Sequence, residues 1–214
     1  LDYARTNHTQ SVLLASSLEV YGTITDDSTP LTEEAQGYLD PMAVRSSYPM
    51  AKRAAETLCH DYAKEYGTHA KVARLAQTFG AGVAQDDTRV FAQFARSIIK
   101  GEDIVMHTNG ELCRSYCYTT DAIAAMLYIL LRGKDGEAYN VANETTYISI
   151  KDMATFLAET FNPHIKVVVE LKENMGYSPT TKLRLSTDKV RQLGWTPQYD
   201  LQEMFHRLIE SLKQ

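Results

Sequence analysis

SVLLASSLEVYG, residues Ser11–Gly22, is a short apolar run that stops at two serines and a turn. A brief, uninterrupted apolar segment bounded by turn formers reads as a strand buried on both faces, and such strands belong to parallel sheets. A polar stretch follows, Thr23–Asp40, which carries Gly37, ends at Pro41 and reads as a loop. From Ser46 to Tyr66 the pattern becomes helical, with Ala51, Ala54, Ala55, Leu58, Tyr62 and Ala63 on related faces and Gly67 as the stop.

The same alternation continues outward. Leu1–Arg5 reads as the last turn of a helix, which places the start of the sequence downstream of a cut. His69–Phe79 is a second strand, followed by a turn at Gly80-Ala81-Gly82. Val90–Lys100 is a helix with Phe91, Phe94, Ala95 and Ile98 inward, closed by Gly101. Ile104–His107, Tyr139–Ala142 and Lys166–Leu171 read as strands. Asp121–Leu131, Ser149–Thr160 (capped by Ser149), Thr187–Leu193 and Asp200–Lys213 read as helices. Strands alternating with helices predict an α/β fold with a largely parallel sheet. From about Gly82 the elements shorten and mix, as in a smaller lobe packed at the carboxyl ends of the strands, where open α/β sheets bind ligands.

Composition narrows the function classes. The chain has 214 residues, 44% hydrophobic and 23% charged, long enough to bury a substantial core. With a net charge of -5 and no basic stripe, nucleic acid is not the expected partner. The longest apolar run, Ala122–Leu131, falls short of the roughly 20 residues that span a bilayer, and no signal peptide is visible, so no membrane partner is expected. Cys59, Cys113 and Cys117 are odd in number and form no C-x-x-C, which points to buried, reduced thiols in a cytoplasmic protein and to no metal site.

Tyr48 and Lys52 are one helical turn apart, so their side chains emerge from one face. Tyrosine near pKa 10 is a poor base at neutral pH, and an adjacent ammonium favours the phenolate. Such a pair takes a proton from a hydroxyl while hydride leaves the same carbon. A Tyr–Lys pair at this spacing also occurs on solvated helix faces. Ser17, at the carboxyl end of the first strand, supplies a hydroxyl for the same reacting group; its other reading is a simple turn residue.

The ordered set S-S-x-E-V-Y-G (Ser16–Gly22), S-S-Y-P-M-A-K-R-A-A-E (Ser46–Glu56), R-L-A-Q-T-F-G (Arg74–Gly80), R-S-Y-C-Y-T-T-D (Arg114–Asp121), Tyr139-Asn140-Val141 and L-G-W-T-P (Leu193–Pro197) resembles the extended short-chain dehydrogenase/reductase family. That family includes NAD-dependent nucleotide-sugar epimerases, dehydratases and decarboxylases. The resemblance implies a Rossmann-like doubly wound parallel sheet, of which this chain carries the C-terminal part, with a smaller mixed α/β substrate-binding lobe. Residues 1–82 are expected to hold the catalytic portion of the NAD-binding domain. Residues 83–214 are expected to form mainly the substrate lobe, with some segments returning to the sheet.

The resemblance also implies roles. Ser17, Tyr48 and Lys52 are the catalytic triad, with Tyr48 as base and Lys52 also holding the nicotinamide ribose of NAD. Arg114 meets the substrate diphosphate, to which a guanidinium suits bidentate contact. Asp87-Thr88-Arg89-Val90 resembles the D-G-R-V of UDP-glucuronate decarboxylases, which gives Arg89 the nucleotide end, with a solvated charge pair as the alternative. Gln77 stands where the family has Asn and is expected near phosphate or sugar; Arg184 is a further diphosphate candidate. The glycine-rich phosphate cradle G-x-x-G-x-x-G does not occur, and Gly80-Ala81-Gly82 is not a substitute for it. The sequence alone is therefore expected to bind NAD poorly and to be inactive, and the residue separating NAD from NADP is not among these. A homodimer through the helices at Leu1–Arg5 and Ser46–Tyr66 is expected by analogy.

The shared first step in such enzymes is oxidation at sugar C4, and the transient 4-keto sugar then epimerises, loses water or loses carbon dioxide. Dehydratases carry an acid where Leu18 stands, which disfavours dehydration. Glu19, the next residue, is a catalytic candidate, with a structural role as the alternative. Epimerase or decarboxylase acting on a UDP-linked sugar is the expected function. A 4,6-dehydratase, a small-ketone reductase and a non-catalytic nucleotide-binding homologue are the alternatives.

Overall fold

A computed structural model describes residues 1–172 and 180–214. In chain order the elements are helix α1 (Asp2–Thr6), strand β1 (Val12–Ser17), helix α2 (Ser47–Tyr66), strands β2 (Ala70–Leu75) and β3 (Gln77–Phe79), helix α3 (Val90–Lys100), strands β4 (Ile104–Met106) and β5 (Cys113–Tyr118) and helix α4 (Thr119–Arg132). There follow strands β6 (Ala138–Val141) and β7 (Asn143–Ser149), helix α5 (Ile150–Phe161), strands β8 (Val167–Val169) and β9 (Lys182–Leu183), and helices α6 (Asp188–Arg191) and α7 (Leu201–Leu212). A 3-10 turn, Leu18–Tyr21, follows β1 directly.

The first sheet runs β1-β2-β6, all parallel. Here α2 links β1 to β2 and packs on both, while α4 contacts β1, β2 and β6. A buried parallel sheet sandwiched in this way is the expected Rossmann-like arrangement. A second sheet joins β3, β5 and β7, with β9 added alongside β5; the β5–β7 pair is antiparallel and the rest parallel. Strands β4 and β8 make a separate parallel pair.

Two details depart from the sequence reading. The run His69–Phe79 is two strands in different sheets, broken at Ala76, whose N–H bonds the Val141 carbonyl as the chain crosses over. Strands β5 and β7 were not expected at all: CRSYCY and NETTYIS lack a clean apolar alternation. Their buried faces are filled by Tyr116, Cys117 and Thr146, the last bonding both Tyr116 N–H (2.8 Å) and the Tyr116 carbonyl (2.9 Å). On α2, Ala51, Ala54 and Leu58 are exposed, and only Pro49 and Cys59 are buried.

The largest core cluster joins α3, α5 and α7 to the second sheet, with Phe79 stacked on Phe91 (centroids 4.4 Å apart) and tilted against Phe205 (4.9 Å). Aromatic pairs at such separations add to area burial. A second cluster holds α4 to the first sheet around Trp195. The Trp195 indole donates to the Asp121 carbonyl (3.0 Å), and the Asp121 carboxylate accepts from the N–H groups of Gln198 (2.9 Å) and Tyr199 (3.1 Å). The aspartate ending R-S-Y-C-Y-T-T-D and the L-G-W-T-P segment are thus two halves of one buried joint. Among the described residues no helix is long and apolar enough to cross a membrane.

Candidate active site

Strand β1 ends at Ser17, and its hydroxyl caps the following 3-10 turn by accepting from Glu19 N–H (3.2 Å). The turn then splits its side chains. Leu18, 3% exposed, packs into a core cluster with Tyr21, Ala76, Leu183 and Leu185. Glu19 lines a cavity of about 290 Å³ instead, shared with Tyr38, Arg45, Pro49, Arg114 and Thr181. The chain can close over this turn because residue 22 is glycine. Its φ is +71°, and a Cβ there would stand 2.6 Å from the Tyr38 carbonyl oxygen.

Helix α2 starts at the rim of the same cavity, which Ser46 and Pro49 help to line. Tyr48 lies between them in sequence and is half exposed. One turn on, the Lys52 ammonium stands 5.7 Å from the centre of the Tyr48 ring and donates to the Ala15 carbonyl at 2.8 Å. Strand end and helix start are therefore tied together, Lys52 reaching from one turn beyond Tyr48 to a carbonyl two residues before Ser17.

Behind this lies a polar network built from the quoted motifs. Arg74 grips Glu56 through Nη2 (2.7 Å) and Nε (3.0 Å), and donates through Nη1 to the Glu33 carbonyl (2.6 Å) and the Tyr21 hydroxyl oxygen (3.1 Å). Ser16 Oγ donates to the other Glu56 oxygen at 2.5 Å. The Tyr21 hydroxyl donates to Asn140 Oδ1 (2.6 Å), and the Asn140 amide donates to the carbonyls of Leu31 and Ser186 (3.0 Å each). Burial pushes the Tyr21 phenol up to about 12. Burial works against the Arg74 charge too, but Glu56 holds it above the ordinary arginine range. Every donor here is engaged, and this set fixes β1, α2, β2 and β6 relative to one another. None of it was read as functional from the sequence. The only signal was that Tyr21, Glu56, Arg74 and Asn140 each fall inside a quoted motif.

The network borders a larger cavity, about 370 Å³, lined by Glu33, Arg53, Glu56, His60 and Arg74. Its arginines are committed: Arg53 donates to the carbonyls of Val20 (2.7 Å) and Gly37 (2.8 Å), and Arg74 to the partners above. The smaller cavity is different. Arg114 reaches it from β5 with its Nη1 nitrogen buried and without a partner. Burial lowers the Arg114 pKa; the Glu19 carboxylate works the other way, and the like charge of Arg45 adds to the lowering. An unpaired buried guanidinium nitrogen beside a carboxylate is suited to receiving an oxygen-rich anionic ligand.

Of the sequence candidates, Glu19 and Arg114 line this cavity; Ser17, Tyr48 and Lys52 lie close in sequence to lining residues without lining it, and Gln77, Arg89 and Arg184 do not line it either. Gln77 is in β3 opposite Tyr116. Arg89, at the amino end of α3, chelates Asp87 (Nη2 to Oδ2, 2.5 Å) and lies 4.7 Å over the Phe91 ring. Arg184 is exposed just after β9.

The profile of the NAD dependent epimerase/dehydratase family matches residues 1–142. UDP-glucuronic acid decarboxylase 5 of Arabidopsis thaliana is 32% identical over 192 residues, covering 90% of this chain and 54% of its own length. UDP-glucuronic acid decarboxylase 6 of the same plant is 33% identical over 194 residues with the same coverages. The chain spans about half the length of the curated relatives it matches. Among solved structures, UDP-glucose 4-epimerase from Thermotoga maritima with UDP-glucose superposes with a TM-score of 0.82 at 22% identity, over 99% of this chain and 66% of that one. The dTDP-glucose 4,6-dehydratase of Bacillus anthracis in complex with NAD gives 0.79 at 18%, over 99% and 64%. At these identities the two structures speak to the fold alone, and they share it.

Proposed function

The chain belongs to the NAD dependent epimerase/dehydratase family, and we propose that the protein modifies a nucleotide-diphosphate sugar through a transient 4-keto sugar, with decarboxylation of UDP-glucuronate as the reaction best supported. The observation that carries this reading is the buried, unpaired Arg114 nitrogen in a cavity shared with Glu19, at the amino end of the helix bearing Tyr48 and Lys52. A small-ketone reductase has no need of such a cation. A pure binding module has no need of Ser17, Tyr48 and Lys52 together. The names of the relatives, UDP-glucuronic acid decarboxylases, favour loss of carbon dioxide over epimerisation, which would use the same residues.

Tyr48 is the base. Its oxygen takes the proton of the sugar C4 hydroxyl, and the Lys52 ammonium beside the ring favours the charge that this proton transfer uses. Ser17 hydrogen-bonds the same sugar oxygen. The Tyr48 hydroxyl and Lys52 ammonium suit a nicotinamide ribose, so these two residues would hold that end of NAD. When bound, NAD supplies reversible acceptance of hydride from sugar C4. In the resulting ketone the bond to a C5 carboxylate is weakened: carbon dioxide leaves, the bonding pair passes into an enolate that takes up a proton at C5, and return of the hydride to C4 with the proton held by Tyr48 would restore the alcohol.

Glu19 shares the cavity and is assigned a part in the steps after oxidation. Leu18 packs into the core and has no proton to give, which speaks against loss of water. Gln77, Arg89 and Arg184 are further proposed contacts toward the diphosphate and nucleotide end, outside the lining of the cavity. A cytoplasmic homodimer, with α1 and α2 outward, completes the reading.

Titration with UDP tests the ligand class. Arg114→Ala should weaken UDP binding by about tenfold or more, the worth of a charge-assisted hydrogen bond. Unchanged affinity would favour the small-ketone alternative.

A further inference from the structure

Among the described residues, three buried side-chain polar atoms lack a hydrogen-bond partner: Thr68 Oγ1, Arg114 Nη1 and Thr181 Oγ1. Two of the three, those of Arg114 and Thr181, belong to residues lining one cavity, whereas Thr68 lines neither cavity described above. Thr181 is 6% exposed. Its position is fixed by the backbone, since its carbonyl accepts from Cys113 N–H at 3.0 Å and its chain continues into β9, where Leu183 lies opposite Arg114. Side chains two apart along an extended segment share a face. Thr181 and Leu183 therefore face the same side as Arg114, and all three line the cavity. Lys182 faces away and pairs with Asp27 (3.1 Å).

A buried hydroxyl without a partner costs the fold stability, and valine would fill the same space without that cost. A hydroxyl kept at such a site is explained when a ligand completes its bonding. Here the neighbouring unpaired group is a cationic donor, so the missing partner is an anionic, oxygen-rich group that accepts from both. We propose that Thr181 is a substrate-contacting, specificity-determining residue whose hydroxyl acts with the Arg114 guanidinium on the diphosphate oxygens of the ligand. The assignment rests on the function proposed above.

The test is calorimetric titration of the intact protein with UDP, and with uridine as the probe lacking phosphate. The variants are Thr181→Val, Thr181→Ser and Arg114→Ala, with thermal unfolding of each without ligand. Thr181→Val should bind UDP more weakly by about tenfold or more, the range of one hydrogen bond to a charged group. It should leave uridine affinity unchanged and raise the melting temperature, because an unpaired buried hydroxyl is gone. Thr181→Ser should retain UDP affinity. Wild-type UDP affinity in Thr181→Val, with loss only in Arg114→Ala, overturns the proposal and leaves the nucleotide-diphosphate reading standing. A loss that Ser does not rescue marks a structural role and also overturns it. If the wild-type protein binds UDP no better than uridine, both readings fall.

Discussion

The Lys52 ammonium donates to the Ala15 carbonyl at 2.8 Å, which fastens the helix that carries Tyr48 to the strand that ends in Ser17. A lysine held in this way sets the spacing of the two hydroxyls as well as supplying charge. Tyr48→Phe removes the proton acceptor and keeps the ring. In the intact enzyme with NAD and nucleotide sugar it should lower kcat by about a hundredfold or more while leaving UDP affinity within about twofold. Lys52→Met should lose both the charge and the tie, and should lower kcat at least as far. Single-turnover kinetics and UDP titration together read both effects; a Tyr48→Phe variant with unchanged kcat would remove Tyr48 from the chemistry.

Glu56 is the hub that joins Ser16 to Arg74. Its carboxylate side chain is 10% exposed and that of Arg74 is 15% exposed. Removing one charge leaves the other buried and unmatched, which costs about 3–5 kcal/mol in comparable pairs. Glu56→Gln should lower stability by that order in urea unfolding. A loss of under about 1 kcal/mol would show that the network is replaceable by water.

Glu137 offers a test by pH. The hydrogen bonds from Lys189 (2.7 Å) and Lys134 (ammonium 3.1 Å away) hold its carboxyl down at about 2, from an ordinary 4.5. A carboxylate lowered by folding adds stability that is fully present above its unfolded value and lost as pH falls through the folded one. The gap in melting temperature between wild type and Glu137→Gln should therefore be constant at neutral pH, shrink below about 4.5, and vanish near 2. The carboxylate is 31% exposed, so screening limits its worth to about 1 kcal/mol. A gap independent of pH would contradict the ion-pair account.

The outward face of α1 and α2 carries Tyr3 (75% exposed), Leu58 (51%) and Tyr66 (55%), with the Arg5 guanidinium 5.2 Å above the Tyr66 ring. The proposed homodimer buries this face. Sedimentation of the intact protein at micromolar concentration should give a dimer, and Leu58→Glu should give a monomer. A wild-type monomer, or a Leu58→Glu dimer, would contradict a homodimer through this face.

Much of this was legible because two kinds of signal agreed. The apolar burst of β1 and the periodicity of α2 gave the parallel sheet and its crossover. Helix α3 buries Phe91, Phe94, Ala95 and Ile98 as its spacing predicts, and Ser149 caps α5 by accepting from Asp152 N–H. What escaped were strands whose buried faces hold Tyr, Cys and Thr in place of aliphatic residues, since periodicity counts apolar side chains and β5 and β7 are stabilised by hydrogen bonds such as those of Thr146. The break at Ala76 escaped because no glycine, proline or other turn former marks it within A-K-V-A-R-L-A-Q-T-F. In the candidate site, Ser17, Tyr48, Lys52, Glu19 and Arg114 could be named from motifs. Thr181 could not, because a threonine whose hydroxyl is buried without a partner looks, in sequence, like any other.

The most direct test of the central claim is mass analysis of the product formed by the intact protein with NAD and UDP-glucuronate. The account predicts a UDP-sugar lighter by one carbon dioxide, its formation slowed about a hundredfold or more by Tyr48→Phe. Unchanged mass with an inverted stereocentre would make the protein an epimerase, loss of water would contradict the reading of Leu18, and no change with any nucleotide sugar would contradict the account as a whole.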